Sequence, residues 1–275
     1  MKKLFFTFLL SFLFLSNAYS QGPLVLMGVD AEDGGPGNHG PIASYEAVIT
    51  NILGNVSNGG VGILVIGGGK NIADDVTVWW TLIGTDLGIP VTFVNGNINI
   101  ANASFAGFAM LGIASTVVET PSGGLTQFEN VALATRDSDI AAFINGGGGL
   151  LGFSQDGLTP LYGYIGGIGT FTINTCGGYD DILPTPAGVA IGITDLLDVG
   201  CWHDTYVEFP SFLEVLAFND EDGTCSFGIP AAIGGLQVLI IQPTIPTLSE
   251  WGLIAMAGIL GIVGYLAIRR RKVAA

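Results

Sequence analysis

Two histidines occur in this 275-residue chain, His39 and His203, and any acid–base chemistry that needs an imidazole must use one of them. The first candidate is Ser154, in Gly152-Phe-Ser-Gln-Asp156. A serine hydroxyl is a weak nucleophile until a base takes its proton, so His203 would act as base, with Asp204 or Glu208 orienting it. Two features oppose this. The segment lacks the second glycine of a Gly-x-Ser-x-Gly elbow, and His203 and Asp204, being adjacent, would face opposite ways on a strand. The second candidate is the loop Asp30-Ala-Glu-Asp-Gly-Gly-Pro-Gly-Asn-His39, which brings Asp30, Glu32, Asp33, Asn38 and His39 within ten residues. Its carboxylates suit calcium, the one cofactor the sequence suggests. A transition metal wants further nitrogen or sulfur ligands, which only His203 could add. A solvated acidic loop is the alternative, and Asn219-Asp-Glu-Asp-Gly223, lacking the twelfth-position Glu of an EF-hand, has the same standing.

Cys176, Cys201 and Cys225 leave three pairings open for one disulfide, with one thiol over. None lies at the turn that carries Ser154, and coordination of a metal by Cys201 and His203 lacks partners the sequence can place. Gly67 to Gly69 and Gly146 to Gly149 fall at strand ends, where positive φ and close backbone approach are needed. Neither run has the Gly-x-x-x-x-Gly-Lys-Ser/Thr pattern, so nucleotide binding is not expected. Between Gln21 and Ser249 the only cations are Lys70 and Arg136, against every one of the 23 acidic residues except Glu250, a net charge of about −20. Nucleic acid is excluded as a partner, because its affinity rests on Lys and Arg neutralising phosphates. Anionic lipid would be repelled as well.

The elements that must position these groups alternate along the first half. Leu24 to Val29, Val61 to Ile66, Pro90 to Val94, Phe108 to Ile113 and Gly149 to Phe153 are apolar runs of the kind buried on both faces. Helical spacing covers 42–56, with Ile42, Tyr45, Ile49, Ile52 and Leu53 on one side, then 72–87 and a long helix over 126–144. The expected fold is α/β, a doubly wound flavodoxin-like sheet, with an irregular second half.

The segment DIAAFINGGGGLLGF, from Asp139 to Phe153, resembles the helix, glycine turn and strand of trehalose-utilisation-type proteins, relatives of the class I glutamine amidotransferase fold. That resemblance implies an elbow after the strand carrying a functional residue, here Ser154. It also matches His203 and Asp204, in Cys201-Trp-His-Asp-Thr-Tyr206, to a pair of acidic positions, and 213–218 with 228–232 to the closing strands. Ser154, where these families carry Cys or His, and His203, in place of an acid, favour a noncatalytic scaffold.

The two ends speak of export. Lys2 and Lys3, the apolar run Leu4 to Leu15 and Ala18-Tyr19-Ser20 form a signal peptide over 1–20, so Sec machinery and signal peptidase are expected partners. At the other end, Trp251 to Ile268 carries no charge over eighteen residues, roughly 27 Å of helix against an apolar bilayer core of about 30 Å. Arg269, Arg270, Arg271 and Lys272 follow and hold the cytoplasmic side. Together with Ile245-Pro-Thr-Leu248 and Trp251-Gly252, this tail resembles the IPTL-CTERM sorting domain. The resemblance implies cleavage near Pro246 by an exosortase-type membrane transpeptidase in a Gram-negative bacterium. An ordinary single-pass anchor is the alternative. The expected organisation is thus a signal peptide, an ectodomain over 21–243 and a sorting domain over 244–275. The expected product is a surface or extracellular-matrix protein, passing through the inner membrane, whose ectodomain is a noncatalytic binding or structural module. Extracellular polysaccharide is a partner class open to it. The alternative is a surface hydrolase of a carbohydrate-like substrate using Ser154 and His203.

Overall fold

Strands without a polar face need cover on both sides, and four of them make the centre of the sheet. These are β1 (Gly22–Met27), β2 (Ile63–Ile66), β4 (Met110–Ile113) and β5 (Gly149–Gly152), buried at every residue, with β3 (Val91–Val94) as a half-buried edge. The computed structural model describes residues 22–116, 123–179, 181–220 and 225–238, and in the tail 254, 257–260 and 262. The five strands run parallel in the order β3-β2-β4-β5-β1. Beyond β1 the sheet continues antiparallel through β10 (Pro230–Val238), β9 (Glu214–Asn219) and β7 (Ile182–Pro184). A separate antiparallel pair joins β6 (Thr172–Tyr179) to β8 (Trp202–Glu208).

The fold is mixed α/β with a mostly parallel central sheet, as the apolar runs require. Its strand order departs from the flavodoxin order 2-1-3-4-5, in which the first strand lies between the second and third. Here β2 occupies that place, between β3 and β4, and β1 lies beyond β5. The shift puts β1 between β5 and β10, adjacent to the closing antiparallel strands.

Alternation along the strands divides the core between two faces. Val25 and Met27 face α1 (Ile42–Gly54) and α2 (Asp75–Leu87), with Tyr45, Ile49, Trp79 and Trp80 in one cluster. Leu24 and Leu26 belong to the other cluster, with residues of α4 (Gln127–Ala134) and α5 (Asp137–Asn145) such as Leu133, Ile140 and Ile144. Ile100 of the short α3 (Asn97–Asn102) joins this second cluster, and Ile191 of α6 (Pro186–Ile191) the first. The Asp74 side chain caps α2 by accepting the Thr77 N–H at 2.6 Å, so that helix starts at Asp75 and not at Ile72.

The single helix expected over 126–144 is two. The chain turns at Thr135 and Arg136, and the Arg136 guanidinium donates to the carbonyls of Ile100, Ala101 and Ala103, at 2.8, 3.2 and 2.9 Å. Those carbonyls stand at the C-terminal end of α3, the negative end of its dipole, so a cation there is favourable. Arg136 also pairs with Asp139 at 2.6 Å and lies over the Phe105 ring. Lys70 is spent similarly, paired with Glu129 at 2.8 Å and donating to the Gly124 carbonyl. Both cations of the 21–249 segment are therefore consumed in holding the fold, and the described surface is left with negative charge.

Of the three possible pairings, the disulfide joins Cys176 on β6 to Cys225 just before β10, with 5.4 Å between Cα atoms, and Cys201 stays a thiol. The expected signal peptide lies outside the described residues, as does most of the expected span over 251–268. Among the described residues no helix is long and apolar enough to cross a membrane. The described tail residues are helical, and Ile254, Ile259, Leu260 and Ile262 are exposed. Contacts divide the chain into one unit ending at Ile240 and another beginning at Ile241.

Candidate functional site

Past Met27 the backbone of β1 is joined by β8 from one side and by the turn after β5 from the other. The Gly28 carbonyl accepts the N–H groups of His203 and Asp204, at 2.7 and 3.1 Å, and the Asp30 N–H donates to the Cys201 carbonyl at 3.2 Å. Between them Val29 bridges Trp202 in antiparallel fashion. A Cβ at position 28 would stand 2.1 Å from the Asp204 carbonyl oxygen, so this approach requires glycine. From the β5 side, the Ser154 N–H donates to the Val29 carbonyl at 2.9 Å. Residues far apart in the chain, Asp30, Ser154 and Cys201 to Asp204, are thereby assembled at one end of the sheet.

Both histidines converge on one carboxylate. His39 Nδ1 lies 3.0 Å from Asp30 Oδ1 and 2.9 Å from the Asp30 carbonyl oxygen, while His203 Nε2 lies 3.2 Å from Oδ2. Burial opposes the charge on Asp30, but the hydrogen bonds from His203 and His39 outweigh it and hold the carboxyl below its ordinary range. Burial also works against a charged His39. Its hydrogen bonds with Asp30 and Cys201 prevail and raise it to about 10. His203 is raised chiefly by its bond to Asp30. Cys201 completes the group: ligand-capable atoms of Asp30, His39 and Cys201 all lie within 4.8 Å of one another. The Tyr45 hydroxyl donates to the His39 carbonyl and fixes the end of the loop against α1.

The other acidic residues of the loop take different parts. Glu32 turns into the core, where Trp80 Nε1 donates to it at 2.9 Å and the Ser115 N–H at 3.2 Å, with the Ser115 hydroxyl on the same oxygen. Asp33 is buried too, and its carbonyl receives the Asn38 side chain at 3.2 Å. Of the four residues considered for a metal, Asp30 and His39 are brought together, and Glu32 is directed to the sheet.

Full burial pushes the Glu32 carboxyl from 4.5 up to about 7, against the hydrogen bonds of Ser115 and Trp80. A raised carboxyl binds its proton more tightly in the folded state, so its stabilising contribution is present below about pH 4.5 and is lost as pH rises through about 7. At about 1.4 kcal/mol per pKa unit, Glu32→Gln should therefore gain about 2–4 kcal/mol on the wild type between those limits. Urea unfolding of both proteins across that range checks this, and a constant difference would refute it.

Ser154 is 1% exposed, and its hydroxyl accepts the Asp156 N–H at 3.3 Å and bonds to Asp204. Asp204 in turn accepts from the Gln155 N–H and the Tyr162 hydroxyl, both at 2.8 Å; burial raises its carboxyl to about 6. His203 and Asp204 thus serve different partners, as their adjacency on β8 requires. Glu208, at the far end of β8, accepts from Thr172 at 2.9 Å. Among the described residues Tyr162 is the one non-glycine with positive φ, so the backbone at Ser154 is free of the strain that marks a nucleophile elbow.

A protein-family comparison identifies the tail. The IPTL-CTERM motif matches residues 244–271. The match takes in Ile245, Pro246, Thr247, Leu248, Trp251, Gly252 and Arg269 to Arg271, and Lys272 lies one residue beyond. It supports an exported surface protein processed by an exosortase-type enzyme, and covers about a tenth of the chain. No curated relative and no solved structure matches the chain. The chemistry of the ectodomain must accordingly be read from its own side chains. Sequence reasoning passed over Cys201 as a partner of His39, since 162 positions separate them; the signal available was one unpaired thiol in a chain with two histidines.

Proposed function

We propose that this chain is an exported surface or extracellular-matrix protein of a Gram-negative bacterium, sorted by its IPTL-CTERM tail, with an ectodomain that binds rather than catalyses. The tail match over residues 244–271 carries this reading. The signal peptide over 1–20 directs the chain to Sec, signal peptidase releases Gln21, and the apolar stretch 251–268 with its basic end holds the intermediate in the inner membrane. An exosortase-type transpeptidase then cuts near Pro246 and removes four of the six cations outside the signal. The product has a charge of about −20, which suits a soluble surface module.

The local likeness of 139–153 to trehalose-utilisation-type proteins supports a scaffold related to amidotransferases on which catalytic positions are filled otherwise. A surface hydrolase using Ser154 and His203 is less well supported. Ser154 is buried against Asp204, and His203 is engaged by Asp30. Mass spectrometry of the surface form should give an N-terminus at Gln21 and no residue beyond the 245–251 region. A surface form that retains Ala275 would overturn processing.

A further inference from the structure

We propose that Asp30, His39 and Cys201 bind a transition-metal ion of the zinc class, with His203 as the residue that positions the Asp30 carboxylate. The inference gives the binding module its ligand and rests on that module being noncatalytic. Three observations on independent segments carry it. First, oxygen, nitrogen and sulfur donors from the loop after β1 and from the start of β8 stand within 4.8 Å of one another. Donors bound to one ion at about 2.0–2.3 Å stand somewhat closer than that limit, so side-chain adjustment alone brings them into place. Second, both histidines of the sequence meet this one carboxylate, at 3.0 and 3.2 Å. A thiol relay of Cys201, His39 and Asp30 would use one imidazole and leave His203 without a task. A metal site uses both, one as ligand and one to hold the ligating carboxylate from behind. Third, Cys201 is a thiol in a protein whose other two cysteines are paired. In an oxidising compartment a coordinated thiolate is protected.

The donor set decides the ion. Thiolate and imidazole suit zinc and its neighbours, whereas calcium takes oxygen ligands, and Glu32, which might have supplied more oxygen, is turned onto Trp80 and Ser115. Three protein ligands leave a coordination position for an exchangeable group. The partly buried Cys201, and His203 with a quarter of its side chain accessible, give that position a route to solvent.

The test uses the full chain, purified in detergent and stripped with chelator. Titration with Co2+ should reach one equivalent and develop a thiolate-to-cobalt charge-transfer band that Zn2+ abolishes and Ca2+ does not. Cys201→Ser should lose the band. His39→Ala should lose stoichiometric binding. His203→Ala should keep the band but weaken Zn2+ about 10–100-fold, with partial rescue by His203→Gln, which can still donate to Asp30. Should a variant fail to fold, the wild type decides alone, since Zn2+ should slow alkylation of Cys201 by iodoacetamide at least tenfold. Cobalt binding without the band, competition by Ca2+, or equal alkylation with and without Zn2+ would each overturn the proposal, and fast unprotected alkylation would point to the thiol relay. None of these outcomes alters the mass expected for the sorted form, so the sorting proposal stands or falls separately.

Discussion

Trp79→Ala should cost about 3–5 kcal/mol of unfolding free energy, the largest effect expected of a single core substitution here. The indole is fully buried and meets Tyr45, Trp80 and Phe153 edge-on, with ring centroids 5.3, 5.0 and 5.6 Å away. Each such contact adds to the area buried, and a methyl group in place of the ring leaves a cavity between rigid aromatics that cannot close. The effect extends to the site. Tyr45 loses its packing partner while its hydroxyl holds the His39 carbonyl, so Trp79→Ala should also loosen the loop from Asp30 to His39. Trp79→Phe is the control. The Trp79 Nε1 is buried without a hydrogen-bond partner, and phenylalanine removes that orphaned donor while keeping most of the ring, for a cost below about 1.5 kcal/mol. Denaturant unfolding of the two variants compares them directly; equal losses would mean that ring packing is not what Trp79 contributes.

Replacing Cys176 and Cys225 together by alanine should lower stability by about 4 kcal/mol, from the entropy that a cross-link across 49 positions removes from the unfolded chain. The bond ties β6 to the approach of β10, and β6 is the pairing partner of β8, which carries His203 and directly follows Cys201. The same variant should therefore show weakened order around β8, read as faster amide exchange of residues 202–208 than of β2. Peptide mapping under nonreducing conditions gives the prior check. A bond from Cys201 to either other cysteine would refute the pairing and remove the thiol proposed as a metal ligand. A loss near zero in the double variant would mean that the unfolded chain is already confined there.

Much of the first half could be read from local pattern because its causes are local. The unbroken apolar runs of β1, β2, β4 and β5 have no polar face to turn outward, so two-sided cover by helices follows from composition alone. The helix and glycine turn before β5 were legible in the same way. The break at Arg136 was not, because its cause is three carbonyls about 35 positions earlier. Position of β1 in the sheet was equally hidden, since an apolar strand records that it is buried and not which neighbours bury it.

By itself the sequence determined the address of this protein and its charge. The IPTL-CTERM motif, an uncharged apolar stretch and a basic end are contiguous, and their meaning survives without any fold. Only the tertiary structure decided which donor groups of the folded domain meet. Asp30, His39, Cys201 and His203 acquire a common chemistry through the approach of β8 to Gly28, where a missing Cβ lets two backbones meet. No spacing along the chain records such an approach, because ligand geometry is a relation between strands and is set when the sheet closes.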